Sequence, residues 1–185
     1  MPNWCSNTLT LSHDNPAMIT RAQAAFDRGE FLHEFVPVPQ ELKDAVADSS
    51  INEALVAKYG YSNWYDFCIS EWGTKWDVGD GGADVVDENT LTLSFESAWA
   101  PPVGAYEKFL DLGFRVYAQY YEPGVGFVGT WDNGNDEYYD YHEETADTVR
   151  SVIGEELDDA WGISESMAEW EEENAEDEGI EQDEA

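Results

Sequence analysis

Six consecutive residues, Trp72-Gly73-Thr74-Lys75-Trp76-Asp77, put two indoles, an ammonium and a carboxylate side by side. Indole faces attract cations and form flat apolar walls, and a lysine with an aspartate offers charge-assisted hydrogen bonds. With Trp99 from Trp99-Ala100-Pro101-Pro102, the residues Trp72, Lys75, Trp76 and Asp77 make a candidate aromatic pocket for a small ligand or a peptide. The same residues also have a structural reading. Gly73 would end a helix, the tryptophans would anchor a core, and Lys75 and Asp77 would form an exposed pair.

The second concentration of chemistry is acidic. Residues 131–185 hold 22 acids and a single base, Arg150, whereas residues 1–130 hold 19 acids and 7 bases. Ala146, Val149, Ile153, Leu157 and Ala160/Trp161 recur on one helical stripe, with Glu144, Asp147, Ser151, Glu155 and Asp158/Asp159 on another. A helix spaces acids four apart by about 6 Å, and each DNA strand carries one phosphate per ~3.4 Å. Glu144, Asp147, Glu155, Asp158, Asp159, Glu165 and Glu169 are therefore a candidate acidic face, able to engage a basic host protein as a DNA-mimicking decoy. Solvation alone, or adaptation to high salt, reads the same charge without a partner. From Glu169 onward ten of 17 residues are acidic and none is basic, the composition of a solvated tail.

Catalytic and metal chemistry find no pattern. His13, His33 and His142 sit in no motif with a nucleophile, and Cys5 and Cys68 lie among apolar and aromatic residues. Two cysteines are too few for a disulfide scaffold or a four-thiolate cluster. Asp132-Asn-Gly-Asn-Asp136 offers oxygen ligands, but a calcium loop starting at Asp132 needs glycine where Glu137 stands. No phosphate loop, nucleophile elbow or paired-histidine motif is present. The expectation is a binding protein rather than an enzyme, with no catalytic residue, cofactor or metal.

Positioning these groups requires a mixed fold. Trp4 to Ser12 alternates as a strand, with Cys5, Asn7, Leu9 and Leu11 on one face. Asn15 caps a helix that Pro16 opens and Gly29 closes. Phe31 to Val36 reads as a second strand, and residues 40–72 as a broken helical insertion in which Ser62 caps the last piece. Thr74 to Val78 reads as extended, Asp80-Gly81-Gly82 as a turn, and Leu91/Leu93/Phe95 as a strand. Pro101-Pro102 opens another helix, and Phe114 onward is a strand meander with a hairpin at Asn133-Gly134. The order predicts an α+β domain over residues 1–141 and an acidic helix with a mobile tail over 142–185.

The chain has 185 residues, a net charge of −33 and a pI near 4.1, yet 42% of it is hydrophobic. It can fill a core, and its charge opposes direct binding to nucleic-acid backbones or anionic membranes. No apolar run approaches the ~18 residues of a membrane span, and the first residues lack a signal peptide's pattern, so a cytoplasmic location is expected.

Four ordered phrases carry a resemblance: Met1-Pro-Asn-Trp-Cys-Ser-Asn-Thr-Leu9, Trp72-Gly-Thr-Lys-Trp-Asp77, Phe95-Glu-Ser-Ala-Trp-Ala-Pro-Pro102, and Tyr121-Glu-Pro-Gly124 with Phe127-Val-Gly129. Over residues 1–130 the chain resembles the YubB-like family of plasmid and bacteriophage proteins, mostly of unassigned function. The resemblance implies a ferredoxin-like antiparallel sheet with helices on one face and an origin on a mobile element. It implies no catalytic residues, and the acidic extension lies outside it.

Overall fold

The structure, a computed structural model, describes residues 3–47 and 51–183, with side chains as far as Asn174. At its centre lies strand β1 (Trp4–Ser12), flanked antiparallel by β3 (Thr90–Ala98) and β4 (Arg115–Glu122). The expected alternation holds: Cys5, Asn7, Leu9 and Leu11 are buried, with Leu9 opposite Leu93 and Ala118, and Leu11 opposite Leu91 and Val116. Helix α1 (Pro16–Asp27) begins as expected, the Asn15 side chain accepting the Ala17 N–H, and buries Ile19, Ala22, Ala25 and Phe26. With β2 (Gly81–Asp87), β5 (Phe127–Asp132) and β6 (Asn135–Asp140) the sheet is antiparallel and α+β in class, ordered β2-β3-β1-β4-β5-β6.

Between α1 and β2 lie four short helices: the first stands where a strand is expected, and the other three form the broken helical insertion expected over residues 40–72. Phe31 to Val36 is not a strand. It forms helix α2 (Phe31–Phe35), because Phe31 and Leu32 pack inward together with Phe35 one turn later. Then come α3 (Gln40–Lys43), α4 (Glu53–Tyr59) and α5 (Trp64–Glu71). Asn63, not Ser62, caps α5, its side chain accepting the N–H groups of Tyr65 and Asp66. Thr74 to Val78 is irregular, not extended. Gly81 and Gly82 belong to β2, not to a turn. Helix α6 (Val103–Asp111) buries Ala105, Tyr106 and Phe109 on the same sheet face as α1, completing a core rich in edge-to-face phenylalanine pairs.

The C-terminal third adds a second layer. The hairpin β5–β6 turns at Asn133-Gly134 with positive φ at both residues, as the dipeptide predicts. Beyond it the expected single helix is three: α7 (Ala146–Ile153), α8 (Glu155–Trp161) and α9 (Ile163–Asp183). Gly154 and Gly162 make the breaks, at φ +85 and +63, values that side chains with a Cβ resist. The three helices pack on the sheet face opposite α1 and α6. There Val149, Ile153, Leu157 and Ile163 join Val128 of β5, with Tyr121 and Tyr139 alongside. The stretch read as a tail continues α9 to Asp183, and its last two residues lie outside the described ones. Both outermost strands, β2 and β6, are exposed nearly throughout, and β2 carries a register shift between Val85 and Asp87.

Candidate functional site

Trp72 and Trp76 stand four residues apart, with Gly73 at φ +89 between them, and they differ sharply in burial. Trp72 closes α5 inside the core, its indole N–H donating to the Val36 carbonyl at 2.9 Å. Trp76 is 40% exposed and leans against Trp4, ring centres 5.9 Å apart. The two readings of this hexapeptide therefore divide between its tryptophans.

Asp77 is not paired with Lys75. Its carboxylate turns inward and accepts the N–H groups of Leu32 at 2.7 Å, His33 at 2.9 Å and Val78 at 2.9 Å. The first two are free donors of the first turn of α2, so Asp77 caps that helix from 45 residues away. Burial pushes its carboxyl up, and the three N–H groups oppose that shift.

Lys75 is left among rings. Its Nζ lies 4.6 Å from the Trp76 ring centre, 5.3 Å from that of Trp99 and 5.7 Å from that of Tyr65. Trp99 holds its place at φ +69, a conformation costing a bulky residue roughly 1–2 kcal/mol. Such strain in an exposed aromatic persists only where surrounding contacts fix it.

Of the eight basic side chains in the chain, Arg21, Arg28, Lys58, Lys108, Arg115 and Arg150 each meet a carboxylate. Among the described residues Lys43 and Lys75 meet none, and both line one recess of about 330 Å³ walled by Trp64, Trp72 and Trp76. Lys43 Nζ rests 3.1 Å from His33 Nε2, while His33 Nδ1 accepts the Val38 N–H. Cys68 forms part of the wall. Burial pushes its thiol up to about 12, Asp77 adds to the shift and Lys43 opposes it, so it meets a ligand as a small apolar group. Cys5 is buried elsewhere, with its thiol also raised to about 12 by burial. A neighbouring recess of about 450 Å³ shares Asp77 and has Trp4, Asp80 and Glu96 on its walls. Of the candidate pocket residues, Trp72, Lys75, Trp76 and Asp77 come together at one recess, and Trp99 contributes its ring to Lys75.

The acidic face is altered more. Asp147, Glu155, Asp159, Glu165 and Glu169 are exposed and Glu144 is partly so, but Glu144 precedes α7 and the glycine breaks divide the others among α7, α8 and α9. Asp158 does not belong to the face. It is 2% exposed and accepts from Arg150 at 2.8 Å and from the Ser164 N–H and hydroxyl at 2.7 Å each. Burial raises its carboxyl, but Ser164 and Arg150 outweigh burial and hold it below the usual range. The signal for this hub was Arg150 itself, the sole cation in the acidic block. Glu156, also unforeseen, accepts from the Tyr117 hydroxyl and the Gln119 amide at 3.1 Å each and pins α8 to the sheet.

No family model matches the chain. No curated protein matches it either. A solved structure, protein api92 from Yersinia pseudotuberculosis under the family model DUF1281, superposes with a TM-score of 0.44 at 11% identity, covering 76% of this chain and 98% of that one.

Proposed function

We propose that this protein is a binding module for a small organic anion with a planar apolar body, seated between Lys43, Lys75 and the Trp64/Trp72/Trp76 wall. One observation carries the reading. In a chain of 41 acids, the two lysines without a carboxylate partner among the described residues face the same recess. An ammonium beside indole walls is suited to a carboxylate or phosphate joined to a ring, and a recess of about 330 Å³ falls within the usual range for ligand sites. The ring of such a ligand stacks on Trp76, and its anion takes the place that carboxylates occupy at the other six basic side chains.

Tryptophan fluorescence titration tests this with indole-3-acetate and its neutral amide. The acid should bind, the amide should bind at least about tenfold more weakly, and Lys75→Met with Lys43→Met should erase the difference, as loss of a charge-assisted contact predicts. Equal binding of acid and amide to the parent protein would sink the proposal.

A second reading keeps the acidic third as a docking surface for a basic host protein, in a phage or plasmid setting with a ferredoxin-like sheet. The spatial order β2-β3-β1-β4, reached through α1 and α6, supports that description of the sheet. The continued exposure of Asp147, Glu155, Asp159, Glu165 and Glu169 supports the docking role. Removing residues after Tyr141 is a poor test, because it would uncover Val128. Replacing the exposed acids by their amides keeps the packing, and should weaken partner binding and flatten its salt dependence.

A further inference from the structure

Where the end of the sheet meets α9, a recess of about 480 Å³ opens between the β4–β5 turn and the helix. Tyr121, Pro123, Val125, Tyr141, Met167 and Trp170 supply its apolar surface. Val125 is 57% exposed and Trp170 66%, so both present apolar surface to solvent at the same recess.

The recess is rigidly built. Glu122, itself buried, accepts the Gly124 N–H at 2.8 Å and the Val125 N–H at 2.6 Å, which fixes the turn with Val125 outward. Tyr141 donates its N–H to the Gly126 carbonyl at 2.8 Å, and a Cβ at Gly126 would stand 3.0 Å from the His142 Cα, so this floor admits only glycine. Tyr121 is stacked between Tyr141 and Trp161, at 6.4 and 5.6 Å between ring centres. A preformed floor of this kind lowers the ordering cost of binding.

The rim is acidic. Asp140 at the end of β6 and Glu143 just beyond it lie beside His142, which lines the recess, and exposed Glu169 and Glu173 neighbour Trp170 along α9. His142 is the basic-type side chain at the wall, and its Nδ1 lies 3.0 Å from Asp140.

We infer that this recess is a docking site for a basic polypeptide segment that inserts one large apolar side chain between Val125, Tyr141 and Trp170 while its lysines and arginines meet the acidic rim. Charge complementarity selects the occupant. A second copy of this chain brings a net −33 to a negative rim, whereas a lysine-rich segment gains both contacts at once. This rests on the second reading above, that the acidic third engages a basic partner, and adds the anchor that gives the charge a defined address.

The test uses the full chain and a labelled, lysine-rich peptide with a central leucine, followed by fluorescence anisotropy, and the same peptide with serine in place of leucine. Trp170→Ala and Val125→Ser are exposed substitutions whose folding is checked by melting temperature. The leucine peptide should bind at least about tenfold more tightly than the serine peptide, the worth of one buried apolar side chain, and either substitution should abolish that advantage. Equal, salt-sensitive binding of both peptides would overturn the anchored site while leaving a purely electrostatic partner surface. Absence of binding by either peptide at low salt would overturn both.

Discussion

Asp158 illustrates how one carboxylate among many is removed from the surface. Its residue type and helical phase group it with the exposed acids. Instead, Arg150, with the N–H and hydroxyl of Ser164, draws it into the joint between α8 and α9. A carboxyl held below its ordinary value contributes stability that is complete above the unfolded-state value of 3.8 and is lost as pH falls through the lower, folded-state value. Asp158→Asn should therefore lower the neutral-pH melting temperature, a loss of ~1–2 kcal/mol amounting to about 2–4 °C per kcal/mol at this size. The gap between variant and parent should close on going below pH 3.8, which thermal melts across pH would measure. A gap that stays constant into acid would mean that Asp158 works through packing alone. The same contrast separates Trp72 from Trp76: the residue type is shared, but Trp72 is buried with its indole N–H on the Val36 carbonyl while Trp76 is 40% exposed.

Among elements, the α2 cap shows what local pattern can and cannot disclose. Asp77→Ala would strip two first-turn N–H groups of α2 of their acceptor, and should cost about 1–2 kcal/mol in denaturant unfolding with little change in slope. An unchanged midpoint would mean that water replaces the carboxylate without loss. The reading of β1 succeeded because one face is buried along its whole length, so period two is written into Cys5, Asn7, Leu9 and Leu11. Asn15-Pro16 and Asn133-Gly134 were legible because each cue acts within a few residues. Phe31 to Val36 was misread because six residues barely distinguish the two periods, and the cap that stabilises the helix lies far along the chain. Lys75 and Trp76 were visible as a candidate site. Lys43, the other half of the recess, was not, since only the fold of the insertion carries it there.

For the whole molecule, the division of charge was plain in the sequence, but the second layer was not. The stripe Val149, Ile153, Leu157 named an apolar face without saying which surface it would cover, and the answer is the far side of β4–β6. Both sheet margins stay open in this arrangement. β2 ends in Asp87 and includes Asp84, and β6 carries Asp136, Glu137 and Asp140, so at neutral pH each margin repels the same margin of another molecule. This protection titrates. Near the pI of about 4.1 the repulsion fades while the unpaired backbone groups of both strands remain. Turbidity and light scattering should then rise steeply as pH approaches 4.1, and Val85→Lys on β2 should delay the rise. A clear solution through that range would show that the bulge at Val85/Asp87 blunts the margin unaided. The open margins thus predict colloidal behaviour set by acidity, with self-association expected where the carboxylates are discharged and repulsion keeping the particles apart in neutral solution.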